Sequence, residues 1–293
     1  MRILVTGREG QVVRSLTAVA AGRPGVEIVA VGRPELDLAR PETVEPAIRA
    51  QRPDVVVSAA AYTAVDQAED EPDLAFAVNG RGAGEVARVS AALGLPVIHV
   101  STDYVFDGAL DRPYREDDPI GPACVYGASK LAGERAVAAA NPQHLIVRTA
   151  WVYSPFGKNF VKTMLRLAGE RDTVSVVADQ QGNPTSAFDI ADAILAATAG
   201  IGRAPRFDRW GLYHLGGSGE ASWADFAEEI FRVSRSLGGP AAAVRRIATS
   251  DYATRARRPA NSRLDSNGFM EVFAYAMPAW KDSVRSVVSA LLA

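Results

Sequence analysis

The chain of 293 residues carries one cysteine, three histidines and almost no surplus charge. A lone thiol, Cys124, excludes an internal disulfide and any cysteine-based metal cluster. His99, His144 and His214 are far apart and each lies beside apolar residues. They lack metal-ligand spacing and read as tethered residues in or beside strands, so no metal is expected. Lys and Arg number 32 against 34 Asp and Glu, a net charge of −2. That balance points to neither nucleic acid nor an anionic membrane surface. No apolar run approaches the ~18 residues of a membrane span, and the opening run to Gly7 is too short for a signal h-region. A cytoplasmic, reducing location is the expectation. Repeats and low-complexity linkers are also missing. What is present is 48% hydrophobic and 23% charged residues, the make-up of a globular chain long enough to bury a core without staples.

The first half alternates between short apolar runs and amphipathic stretches. Ile3-Leu4-Val5, residues 26–31, Val55-Val56-Val57, residues 97–100 and Leu145-Ile146-Val147 read as buried strands. Residues 12–21, with Val12, Leu16, Val19 and Ala20 on one stripe, read as a helix. Residues 41–51 and 130–140 read as helices too. Residues 73–93 read as one long Ala-rich helix ended by Gly94. Continuous apolar strands imply helices on both faces of a parallel sheet built from right-handed crossovers. In the second half, residues 160–168, 188–199, 223–237 and 280–292 look helical. Gly200-Ile201-Gly202 with Pro205, and Gly238-Gly239-Pro240, read as loops. The predicted fold is α/β: a Rossmann-type doubly wound parallel sheet over residues 1–150, with a smaller C-terminal α/β substrate lobe over 151–293, some of whose segments return to the core.

Gly7 and Gly10 follow the first strand and open the first helix, where a pyrophosphate meets free backbone N–H groups. Val13 stands where the dinucleotide fingerprint has its third glycine, which puts the helix–strand packing in question. The second strand ends in Val31-Gly32-Arg33. It offers no carboxylate for a ribose 2′-hydroxyl, and Arg33 could pair with a 2′-phosphate, so NADPH is favoured over NADH. Asp37 and Leu38 could flank the adenine.

Thr102 lies at the end of a buried strand, where substrates of such folds bind. Tyr126 and Lys130 are spaced i, i+4 and face the same way on a helix. An ammonium near a phenol lowers the phenol's pKa. Tyr126 could then exchange a proton with a carbonyl oxygen while hydride moves to its carbon, and Thr102 could donate a second hydrogen bond to that oxygen.

These motifs resemble the dTDP-4-dehydrorhamnose reductase family of extended short-chain dehydrogenase/reductases, and the likeness runs nearly end to end. It is carried by Gly10-Gln11-Val12, by the run from Ala59 and Ala60 through Ala61-Tyr62-Thr63-Ala64-Val65-Asp66, and by Ser101-Thr102-Asp103-Tyr104-Val105-Phe106. The blocks at 125–134 and 148–153 extend it. Asp179-Gln180-Gln181-Gly182-Asn183-Pro184-Thr185, the block at 211–215 and Arg258-Pro259-Ala260-Asn261 lie outside the cofactor half. The resemblance implies reduction of the 4-keto group of a dTDP-linked 6-deoxyhexose by NADPH. It makes Tyr126 the proton donor, Lys130 its partner and ribose anchor, and Thr102 the polarising hydroxyl. Val65, Asp103, Tyr104 and Trp151 would meet the sugar. Ala61, Tyr62 and Thr63 would pass under the cofactor, and Arg258 and Asn261 would lie near the nucleotide end of the substrate. Trp151 as a packed core aromatic is the alternative for that residue.

Some members of the family join as metal-linked dimers through glutamates. Ser15 and Phe188 stand at those positions here, so the expectation is a monomer or a metal-independent homodimer. Cys124 reads as a small spacer before the catalytic helix. Three other functions share the scaffold. One is the same chemistry on another deoxysugar. Another is a non-catalytic regulatory subunit like the beta subunit of methionine adenosyltransferase, which the intact Thr102, Tyr126 and Lys130 disfavour. The last is a 4,6-dehydratase or 4-epimerase; a dehydratase would want Asp-Glu after Thr102, where Asp103-Tyr104 stands.

Overall fold

The computed structural model describes residues 1–203 and 207–293. Its large sheet has six strands: β1 (Arg2–Thr6), β2 (Glu27–Val31), β3 (Val55–Ser58), β4 (Val97–Thr102), β5 (His144–Thr149) and β6 (Gly211–Leu215). They lie in the order β6-β5-β4-β3-β1-β2, and every pairing is parallel. Chain direction across the sheet reverses between β1 and β3. That is the switch point where doubly wound folds bind ligands, beyond the carboxyl ends of the strands. Ile3, Leu4 and Val5 are fully buried because helices cover both faces.

Helix α1 (Gln11–Ala20) buries Val13, Ser15, Leu16 and Ala20, one position off the stripe expected through Val12. It packs on the helix Ala187–Arg203, whose Ile190, Ala191, Ile194 and Leu195 join Ile3, Val5 and Val57 in one core. Residues well past position 150 thus close one face of the large sheet. A second core is made only of later residues: Tyr153, Val161, Met164, Val176, Phe226, Ile230 and Trp280 among them. It lies under the parallel pair Thr173–Val177 and Ala243–Ile247 and the helix Trp223–Ser236.

Two expected elements differ. The long helix at 73–93 is three pieces: an α-turn Pro72–Phe76, a π segment Ala77–Gly82 and a helix Ala83–Ala92. Asn79 sits in the π segment and reaches the Tyr62 backbone and Ser129, contacts a regular helix would not place there. Gly200 and Gly202 do not form a loop. The helix runs through them to Arg203, because Ile201 continues its apolar stripe into the core. Pro205 lies outside the described residues. The pattern also missed β6, the strands at 173 and 243, and the helix Asn267–Phe273. Each histidine is tethered: His99 to Ser58, His144 to the Asn141 carbonyl and His214 to the Tyr114 carbonyl.

Candidate active site

At the switch point, Thr6 Oγ1 accepts from the backbone N–H of Ala59 and Ala60, both at 3.0 Å, and locks the ends of β1 and β3 together. Gly7 turns the chain with φ +100°, a conformation costly for any side-chain-bearing residue. Val13 does not disturb the packing. It is 2% exposed, and its Cγ2 fills the space above Gly7, 3.4 Å from where a β-carbon would stand. Gly10 caps α1 with no side-chain acceptor, and the first turn holds no carboxylate. Its N–H donors are therefore open to an anion, so the loop fits a pyrophosphate. Gln11 could contribute only its backbone. Its amide oxygen accepts from Ser154 and Asn159, 2.9 and 3.0 Å away, tying the loop to the second lobe.

Beyond β2, Arg33 is exposed and has no acidic partner among the described residues. Glu35 is the nearby carboxylate, and Arg8 holds it at 2.8 Å while donating to the Arg33 carbonyl. Arg8 was not singled out from the sequence. It keeps the Glu35 carboxylate paired away from Arg33. Asp37 accepts from the Ala39 N–H within its own turn. Leu38, expected beside the adenine, is 4% exposed and packs with Val44, Ile48 and Val86.

The helix Val125–Ala140 carries Tyr126 and Lys130. Cys124 is its N-cap, with Sγ accepting from Gly127 N at 3.4 Å, and Glu69 accepts from Val125 N at 2.8 Å. The spacer is thus a cap, and two acceptors from different segments fix where Tyr126 starts. Tyr104 lies edge-on to Tyr126, with ring centroids 5.4 Å apart. Burial raises the Tyr126 phenol above its usual range, and a hydrogen bond with Thr102 partly opposes this. The expected depression by Lys130 is absent among the protein groups alone. The Lys130 Nζ donates to Val100 O at 2.7 Å and meets His99 Nε2 at 3.3 Å. Burial pushes this ammonium down to about 8, with the Glu134 charge opposing.

On the substrate side, Thr102 donates to Asp103 Oδ1 at 3.0 Å. Asp103 is 3% exposed, its Oδ2 lacks a partner among the described residues, and burial raises it to about 6. Arg258 donates to the Tyr104 hydroxyl at 2.9 Å and to Asp66 at 2.8 Å. Asp66 stands beside half-buried Val65, at the end of the loop that leads from Ala61, Tyr62 and Thr63. Trp151 has φ +50°, stacks on Trp223 at 3.6 Å and lies close against Gly182. It is only half-buried, so both readings of it keep support. Asn261 is a correction. Its Nδ2 donates to the carbonyls of Leu110 and Arg112, and its Oδ1 accepts twice from Arg263. An amide engaged at both ends holds a loop and is not free for a substrate. Asn79, Glu69 and Trp223 went unassigned from sequence because none falls at a motif spacing, and Asp66, though inside the run that ends at 66, was given no role.

Ser15 is fully buried in α1, and Phe188 packs edge-on to Phe156 at 5.8 Å. Neither position presents a ligand for a hard cation. Among the described residues, no helix is long and apolar enough to cross a membrane.

The whole chain, residues 1–293, matches the family described as RmlD substrate binding domain. It is 53% identical to a dTDP-4-dehydrorhamnose reductase of Sinorhizobium fredii over 292 residues, covering 100% of this chain and 98% of that protein. Among solved structures, it resembles a dTDP-4-dehydrorhamnose reductase from Clostridium acetobutylicum with TM-score 0.91, 36% identity and full coverage of both chains. It also resembles one from Bacillus anthracis, solved in complex with NADP, with TM-score 0.90, 34% identity and 99% of each chain covered.

Proposed function

The chain belongs to the dTDP-4-dehydrorhamnose reductase family, and from that premise we propose how its residues perform the reduction of a dTDP-4-keto-6-deoxyhexose. NADPH, when bound, supplies the hydride that converts the C4 carbonyl carbon to a carbinol. The protein supplies the proton and the geometry. Tyr126 gives its phenolic proton to the carbonyl oxygen, and Thr102 donates a second hydrogen bond to it. A phenol raised by burial stays protonated through neutral pH, as an acid in the reductive direction must. Lys130 provides a positive charge below the phenol, and its remaining N–H anchors the cofactor ribose. Gly7, Gly10 and the first N–H groups of α1 hold the pyrophosphate, and Arg33 takes the 2′-phosphate. Tyr104, Asp103, Val65 and Trp151 surround the sugar, with Arg258 toward its diphosphate. We place the reaction in the cytoplasm, by a monomer or a metal-free homodimer.

The observation that carries this reading is the convergence of Thr102, Tyr126 and Lys130 at the end of β4, beside a glycine loop whose donors no side chain caps. The test is NADPH oxidation with dTDP-4-keto-6-deoxysugars, followed through the Tyr126→Phe variant. That variant should keep NADPH affinity and lose about 10²–10⁴-fold in kcat, the usual span for a general acid. Near-normal turnover would overturn the mechanism.

A further inference from the structure

Lys130 is held by more than its own helix. An ammonium has three N–H donors and accepts nothing. One donates to Val100 O at 2.7 Å and one is directed at His99 Nε2, 3.3 Å away. His99 lies fully buried on β4, and its other ring nitrogen faces Ser58 Oγ at 3.2 Å. Because the ammonium only donates, Nε2 must accept, so the single ring proton sits on Nδ1 and points at Ser58. Burial and the Lys130 charge both push His99 well below the usual histidine range, which keeps it the neutral acceptor this arrangement needs. Gly133, one turn after Lys130, lets the strand and helix close around the pair. A β-carbon there would stand 2.1 Å from Asn79 O and 3.5 Å from His99 Nε2.

We propose that His99, oriented by Ser58, is a positioning residue for the reduction: it takes one Lys130 donor while the Val100 carbonyl takes another, which leaves the third for the cofactor. The inference rests on Lys130 acting as proposed above. The remaining charged neighbours do not serve the same purpose. Glu134, on the same helix, is paired with Arg148 of β5 at 2.7 Å and accepts from Ser101 on β4. Arg148 in turn faces neutral His214 of β6. From the π segment, the uncharged Asn79 and Gly80 face this helix.

The experiment compares His99→Leu with His99→Gln, whose amide oxygen can accept from the ammonium, and uses Lys130→Met as reference. His99→Leu should lower kcat by about 10-fold or more and raise KM for NADPH, with KM for the dTDP-sugar little changed. An acceptor also stabilises the charged lysine. The alkaline limb of the pH–rate profile, expected near the Lys130 value of about 8, should therefore move to lower pH in the Leu variant. His99→Gln should restore kcat and the limb. Ser58→Ala keeps the histidine and removes only its orienting partner. It should lower kcat by a few-fold, and it serves if His99→Leu does not fold. A Gln variant as impaired as Leu, or unchanged kcat in both His99→Leu and Ser58→Ala, overturns the inference. A Lys130→Met enzyme of near-normal activity would instead overturn the reading of Lys130 beneath it.

Discussion

The two ends of the site are made of different materials. At the cofactor end, the groups offered to a ligand are backbone N–H donors and the guanidinium of Arg33, which has no acidic partner among the described residues. Competing partners there have been drawn aside: Glu35 by Arg8, and the Gln11 side chain by Ser154 and Asn159. At the substrate end, the groups are side chains that already hold one another. Arg258 bridges Tyr104 and Asp66, Asp103 accepts from Thr102, and Trp151 stacks on Trp223. A ligand at the first end completes unfilled bonds. A ligand at the second must exchange internal pairs for its own, so its affinity is a difference between two sets of contacts.

This contrast predicts unequal responses to mutation. The largest should come at Arg33. Losing a charge-assisted contact costs ~1.5–3 kcal/mol, so Arg33→Ala should weaken NADPH by about 10- to 100-fold and leave NADH nearly unaffected. Titration with both cofactors measures this. Equal affinity of the parent protein for NADPH and NADH would break the first half of the comparison.

A smaller effect is expected at Asp66. It holds Arg258 at 2.8 Å and also accepts from the Ala256 N–H at 3.0 Å, so it orients the whole segment. Asp66→Asn weakens the ion pair and frees a guanidinium that a diphosphate would otherwise have to win from it. The loss of orientation and the loss of competition oppose each other. With orientation dominant, KM for the dTDP-sugar should rise by only about three- to tenfold, and KM for NADPH should stay put. A rise in the NADPH constant alone would show that the two ends are not separate.

The same contrast explains what the sequence could disclose. The cofactor end follows from strand, glycine turn and helix start, all local features that periodicity and spacing expose. Thr102 and the Tyr126–Lys130 pair are equally local. The direction of Lys130 was not, because its acceptors come from β4, some thirty residues away in the chain. Asn261 looked like a ligand for the same reason: its real partners at Leu110 and Arg112 are visible only once the chain is folded. The π segment escaped because Ala-rich periodicity does not register a one-residue slip. β6 escaped because Gly211-Leu212-Tyr213-His214-Leu215 mixes polar and aromatic residues, and its burial depends on pairing with β5.

Cys124 offers a finer probe of how firmly the catalytic helix is seated between the two ends. A thiol is a weak acceptor, and serine is among the preferred N-caps. Cys124→Ser should gain up to about 1 kcal/mol and raise Tm by a few degrees. Calorimetry decides it. A fall in Tm would mean that the packing of the buried sulfur outweighs the cap.

The smallest expected effect is none. Ser15 is buried in α1 and Phe188 packs on Phe156, so the two positions where the resemblance implied carboxylates hold a hydroxyl and an aromatic ring. A hard cation needs several oxygen ligands at once, and a buried hydroxyl and an aromatic ring do not supply them. The proposed chemistry makes no separate demand for one, because in it Thr102 and Tyr126 polarise the carbonyl from the protein side. EDTA should therefore change neither turnover nor the mass seen by light scattering. A dimer that falls to monomer on chelation would place carboxylate ligands elsewhere on the surface and make assembly, unlike either end of the site, dependent on a bound ion.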